Sequence, residues 1–146
     1  MFSKISLASL ALVITLTGCS DETSKLIISA NDYCGINGPV AGSDFDRKTE
    51  LKPWGWAFDL STGKIPEKIV MQIISDDNKN GITSVLTRSS RPDVAKSFGK
   101  PEVDRAGFEG KIDVSTLAAG AYQISVVQYS PDRIYICKGP SKIVFK

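Results

Sequence analysis

Beyond residue 26 the chain is written in short runs of alternating apolar and polar side chains, broken at frequent intervals by Gly, Pro, Asn or Asp. That is the pattern of β-strands joined by turns. Leu26-Ile27-Ile28-Ser29 opens the series. Trp54, Trp56, Phe58 and Leu60 alternate with Gly55, Ala57 and Asp59, and Ser61-Thr62-Gly63-Lys64 is a turn. Lys68 to Ile74 is apolar on both faces apart from Gln72, as a central strand would be. Asp76 to Gly81 turns the chain and Ile82 to Thr87 returns it as a hairpin. Phe108, Gly110, Ile112 and Val114 alternate with Glu109, Lys111 and Asp113. After the turn Leu117-Ala118-Ala119-Gly120, the residues Tyr122, Ile124 and Val126 repeat the pattern. Ile134 to Cys137 and Lys142 to Phe145 close the series around Lys138-Gly139-Pro140. Seven or eight such strands predict an all-β immunoglobulin-like sandwich over residues 26–146. One helix is expected at Pro92 to Phe98, with proline at its start, Asp93 in its first turn and Gly99 after it. Gly35 to Lys52 is the longest stretch without strand pattern.

A length of 146 residues suits one domain of that kind. Hydrophobic residues at 42% and charged residues at 23% describe a globular chain, and a net charge of +2 offers no basic field for nucleic acid. No histidine is present, so Ser-His and Cys-His nucleophile pairs, imidazole metal ligands and a histidine pH switch are all excluded.

The N-terminus has another character. Lys4 is followed by an uncharged apolar run from Ile5 to Leu16, which ends at Gly18-Cys19. This reads as a secretory signal peptide, too short for the ~20 residues of a spanning helix.

The end of that run, Leu16-Thr17-Gly18-Cys19, resembles the lipobox of bacterial lipoproteins. The resemblance implies cleavage after residue 18 and acylation of Cys19, which fixes the chain to a membrane. Each buried methylene then adds roughly 0.8 kcal/mol of anchoring. Ser20 rather than aspartate follows the cysteine, which in that family favours the outer membrane. Residues 19–25 become a lipidated cysteine with a short polar tether. The mature chain keeps one basic residue fewer than the original 18, that is 17, against 16 acids. With Cys19 assigned to lipid, Cys34 and Cys137 remain as an even pair in an oxidising compartment, and a disulfide between them is expected. A catalytic thiol is the rival reading, but neither cysteine sits in a CxxC motif.

Within the body, Gly55-Trp56-Ala57-Phe58-Asp59, Arg91-Pro92-Asp93-Val94-Ala95 and Ala106-Gly107-Phe108 resemble a small envelope-associated β-sandwich module. Its marks are a GWA-x-D strand, an RPDVA helix and a GF strand. The likeness covers roughly Trp54 to Val127 and implies a fold, not a chemistry. The Cys34–Cys137 pair does not come from it.

Several residues hold candidate chemistry. Asp76, Asn78, Asn80 and Gly81 open like a calcium loop, yet Thr87 stands where a bidentate glutamate belongs and Lys79 lies among the ligands. A polar turn is the expectation, with no metal and no cofactor. Trp54 and Trp56 read either as a core pair or as sugar-stacking rings. Tyr33, Tyr129 and Tyr135 fall near strand ends, and Arg91 with Asp93 reads as a clamp between helix and strand. Ser89, Ser90 and Asp93 have no base to join them, and Asp44, Asp46 and Glu50 form a mixed-charge loop with Arg47 and Lys48.

The expectation is therefore a non-catalytic, lipid-anchored envelope module that binds an envelope protein or glycan. A prophage-type lipoprotein that blocks an outer-membrane receptor is the alternative, and a carboxylate-based hydrolase is a third reading. Asp46, Arg47 and Trp54, in or just after the long unpatterned stretch, are the expected partner surface.

Overall fold

In the computed structural model, the described residues are 27–30, 34–40, 42–139 and 142–146. The leader, Cys19, the tether and Tyr33 lie outside them. Among the described residues, eleven strands pair in two sheets: β1 (Ile27–Ala30), β2 (Cys34–Gly38), β3 (Asp44–Phe45), β4 (Trp54–Ala57), β5 (Lys68–Ser75), β6 (Gly81–Val85), β7 (Thr87–Ser89), β8 (Gly107–Glu109), β9 (Gly120–Tyr129), β10 (Arg133–Lys138) and β11 (Ile143–Phe145). The larger sheet has seven strands. Its β5 and β9 pair along eight residues, Lys68↔Tyr129 to Ser75↔Tyr122. β6 flanks β5, β10 flanks β9 with β1 beyond it, and β11 pairs the start of β9 and carries β3. The smaller sheet runs β2-β4-β8-β7.

The two sheets face each other across one core. Met71, Ile73, Ile124, Val126 and Phe145 come from the larger sheet, Ala57 and Phe108 from the smaller, and Ile112 and Val114 from the loop after β8. The apolar run of β5 earns its central position by burying side chains on successive residues, Ile69 to Met71. A disulfide joins Cys34 on β2 to Cys137 on β10, with Cα atoms 6.2 Å apart, and so fastens one sheet to the other.

The helix α1 (Pro92–Phe98) occupies the expected residues, with Pro92 at its first turn and Gly99 left-handed at φ 63° to end it. A 3-10 helix (Pro101–Ala106) follows directly. Together they cover the Trp56 end of the outer face of the smaller sheet. There Phe58, Val94, Ala95, Val103 and Ala106 form a second buried cluster with Trp56, Leu60 and Phe98 packed on it.

Three expectations are corrected. Gly35 to Lys52 is not one long loop: it holds most of β2, all of β3 and the bridging residue Leu51, which pairs with Ile112. The strand expected over Phe108 to Val114 is regular only to Glu109: Gly110 donates its N–H to the Pro53 carbonyl, Pro53 has no N–H to return, and the pairing goes on only as the Leu51–Ile112 bridge. The alternation in β4 is real but its sense is reversed. Gly55 and Ala57 point into the main core, because the Phe108 ring fills the space against Gly55. Trp54 and Trp56 therefore do not form a pair in that core. They stand on the outer face, where Trp56 joins the cluster under α1 and Trp54 remains 50% exposed.

Candidate functional site

The outer face of the smaller sheet is built around that reversal. Side chains on cross-strand partners share a face, so Trp54, Glu109 and Thr87 form one row across β4, β8 and β7. Trp56, Gly107 and Ser89 form the next. Both indoles need glycine beside them on β2. A Cβ at Gly38 would come within 2.5 Å of the Trp54 ring nitrogen, and one at Gly35 within 2.5 Å of that of Trp56. Glycines on β2 let both rings lie over the neighbouring strand instead of standing away from it.

Arg91 flanks the exposed indole. Its guanidinium lies 5.6 Å from the centre of the Trp54 ring, a cation–π contact. It donates through Nε and Nη2 to the two carboxylate oxygens of Asp93 at 2.8 and 2.7 Å, and through Nη1 to Asn37 Oδ1 at 3.1 Å. These hydrogen bonds hold the Asp93 carboxyl down at about 2 and raise the Arg91 guanidinium. The clamp read from Arg91 and Asp93 thus ends on an aromatic ring.

Beside Trp54 runs a groove of about 670 Å³, lined by Pro53, Val85, Thr87, Glu109 and the two lysines Lys52 and Lys111. Trp54 and Val85 are among the exposed large apolar side chains of the described residues, and here they share one groove. An apolar floor with one carboxylate, two ammonium groups and a hydroxyl at its rim suits a polar ligand that has an apolar face.

Asp46 and Arg47 are elsewhere. They line a separate shallow depression with Asp44, Phe45, Lys48 and Lys146, which shares no residue with the Trp54 groove. Arg47 donates to the carbonyls of Leu117 (3.0 Å) and Lys146 (3.2 Å), which ties it to the C-terminal strand. Asp46 caps its own turn by accepting from the Lys48 N–H at 2.9 Å. Of the three expected surface residues, only Trp54 faces this groove.

Several other carboxylates have local partners. At one end of the sandwich Asp59 accepts from Ser61 and from Tyr135 Oη at 3.0 Å, and Tyr135 Oη accepts from Arg133 at 3.2 Å. Burial alone would raise the Asp59 carboxyl, but hydrogen bonds from Ser61, Thr62 and Tyr135 outweigh it and bring it to about 2. In the turn read as a possible calcium loop, Asp77 accepts from Ser75 Oγ at 2.6 Å and Asp76 pairs with Lys142 at 2.6 Å. Among the described residues no group of three or more Cys, Asp or Glu is placed to hold a metal ion, and no helix is long and apolar enough to cross a membrane.

Arg91 as a ring clamp and the two β2 glycines were not legible as site residues. No spacing in the sequence displays them: Gly35 and Gly38 are three residues apart and Trp54 and Trp56 two, and a register shift between Ile36 and Gly38 brings each glycine opposite an indole.

No protein-family model matches the chain, and no curated protein matches it. Among solved structures it is similar to the sulfur carrier protein SoxY from Chlorobium limicola f thiosulfatophilum. The identity is 10%, over 83% of this chain and 86% of that one, with a TM-score of 0.39.

Proposed function

We propose that the chain is a lipid-anchored envelope protein whose immunoglobulin-type sandwich is a non-catalytic binding module, with the Trp54 groove as its ligand surface and a glycan as the ligand. The half-exposed indole beside that groove is the observation that carries this reading. A pyranose offers a C–H face for the ring and hydroxyls for Glu109, Thr87, Lys52 and Lys111. Clamping by Arg91, Asp93 and Asn37 lowers the ordering cost of the surface.

The immunoglobulin type is supported by strand order. β2-β4-β8-β7 follows the four-strand sheet of that fold, and β6-β5-β9-β10 follows the facing sheet with its added edge strand. Tyr122, at the start of β9, donates its hydroxyl to the Ala118 carbonyl at 3.0 Å, as in the tyrosine corner of such domains. The disulfide departs from the pattern, since it joins β2, at the edge of the smaller sheet, to β10, which lies between β1 and β9 in the larger one.

Anchoring rests on Leu16-Thr17-Gly18-Cys19. β1 begins at Ile27, so the tether reaches only roughly 20–25 Å and keeps the domain beside the outer membrane. A peptidoglycan strand in the periplasm would be within its range. The non-catalytic reading is supported by the lowered Asp59, Asp77, Asp93 and Asp113 carboxyls, each explained by turn or clamp hydrogen bonds.

Co-sedimentation of the full chain with purified peptidoglycan sacculi tests the proposal. The parent chain is expected to pellet with the sacculi and Trp54→Ala to remain in the supernatant. Equal sedimentation of the two would remove Trp54 from the site, and no sedimentation of either would remove the glycan.

A further inference from the structure

β2 is irregular, and the Trp54 surface depends on the irregularity. Cys34, Gly35 and Ile36 pair with Ala57, Trp56 and Gly55 in one register, whereas Gly38 pairs with Trp54 one residue out of it. The extra residue is Asn37, which makes a β-bulge in a five-residue strand at the edge of the smaller sheet. The bulge sets Gly35 beside the Trp56 ring and Gly38 beside the Trp54 ring, where a Cβ would come within 2.5 Å of either ring nitrogen. It also leaves Asn37 exposed, with its Oδ1 accepting from Arg91 Nη1 at 3.1 Å.

An unbulged β2 has two registers open to it. Continued from Cys34 to Ile36, the pairing would set Asn37 against Trp54. Carried back from Gly38, it would set Ile36 against Trp56 and Asn37 against Gly55, on the opposite face from Arg91. Each register puts a side chain where an indole needs glycine.

Glycine-rich strands specify their register weakly and slip, so this bulge needs a pin on each side. Beyond Gly38 the pin is the chain that follows. Gly42 donates its N–H to the Lys142 carbonyl, and Asp44 and Phe45 pair with β11. Before the bulge, Ile36 is only partly buried against the core, and the covalent pin is Cys34, bonded to Cys137 of β10.

We infer that closing the Cys34–Cys137 disulfide assembles the Trp54 surface, so that the groove holds its ligand when the two cysteines are oxidised and releases it when they are thiols. Closure passes two electrons and two protons from the thiols to a disulfide-bearing oxidant, which leaves as a dithiol, and a dithiol reverses the step. Cys34, half-buried on the edge strand, is the sulfur that an incoming thiolate reaches, because Cys137 is buried. The β5–β9 ladder and the pairing of β4, β8 and β7 contain no β2 residue, so the reduced chain keeps both sheets. What it loses is the bulge, and with it the Asn37 contact. That contact links the Arg91 guanidinium, otherwise bonded to Asp93 in α1, to the strand beside the Trp54 ring. The inference rests on the glycan reading only for what the surface binds.

The test uses the full chain in detergent with two readouts. The indole N–H resonances of Trp54 and Trp56 report the two seats without any ligand, and purified peptidoglycan sacculi report binding. In dithiothreitol, with thiol alkylation showing both cysteines reduced, the indole resonances should move while the amide spectrum keeps its folded dispersion. The fraction that sediments with sacculi should fall several-fold and return on reoxidation. Cys34→Ala with Cys137→Ala should match the reduced parent chain, with or without dithiothreitol. Undiminished sedimentation of the fully reduced chain would overturn the inference. Global unfolding on reduction would overturn it too, since the bridge would then be a stabiliser alone. If the oxidised chain does not sediment, the glycan reading fails, and indole resonances that stay fixed on reduction would overturn this inference separately.

Discussion

Arg91 and Trp54 stand 5.6 Å apart, guanidinium to ring centre, and the same guanidinium holds Asp93 by two hydrogen bonds. One residue thus fixes the start of α1 and the exposed ring of the proposed site. Arg91→Ala should release both. The Asp93 carboxyl, held at about 2 mainly by the Arg91 hydrogen bond, should rise toward its ordinary 3.8. A depressed carboxyl contributes stability above its unfolded pKa and loses it as pH falls through its folded one. The Asp93 contribution is therefore complete above about pH 4 and lost toward pH 2, and it should vanish from the variant. Carboxyl NMR titration and acid unfolding of both proteins provide the check.

The disulfide closes a span of 103 residues between β2 and β10, one strand from each sheet. Replacing Cys34 and Cys137 by alanine should cost about 2–5 kcal/mol, read by chemical denaturation with and without reductant. Reductant should lower the midpoint of the parent chain and leave that of the double variant unchanged.

Tyr122 is buried, and its hydroxyl is the donor that ties the turn before β9 to the strand itself. Tyr122→Phe keeps the ring and its edge contact with Phe145 but leaves the carbonyl of exposed Ala118 to water. A loss of about 0.5–1.5 kcal/mol in denaturant unfolding is expected, with sacculus binding unchanged.

Arg88 should behave in the opposite way to most half-buried residues. Its two terminal nitrogens are buried and have no hydrogen-bond partner among the described residues. Burial, then repulsion from Arg105, lowers its pKa. Arg88→Met removes a desolvated charge and keeps much of the packing, so stability should hold or rise by about 1–3 kcal/mol in thermal or denaturant melts.

Much of the architecture was legible because single positions decided it. Pro92 and Gly99 bound α1 at the residues expected, and the apolar run of β5, interrupted by Gln72 alone, marks a central strand. The site was harder to read. Alternation gives the period of β4 but not which face meets the core. Large side chains suggested Trp54 and Trp56 inside, whereas Phe108 already fills the space against Gly55. β2 carries no strand pattern of its own, because glycine is a poor strand former. Those glycines make room for two indoles on the next strand, a requirement that no local pattern displays. Arg47 looked free for a partner on charge alone, but its guanidinium is engaged by backbone carbonyls distant in sequence.

The central claim is that Trp54 receives the ligand. It is tested most directly by following the indole N–H resonances of Trp54 and Trp56 while soluble peptidoglycan glycan fragments are added to the full chain in detergent. The account predicts a saturable shift of the Trp54 resonance, with that of Trp56, packed under α1 against Phe58 and Phe98, barely moved. A Trp54 resonance that stays fixed while the chain still binds sacculi would contradict it.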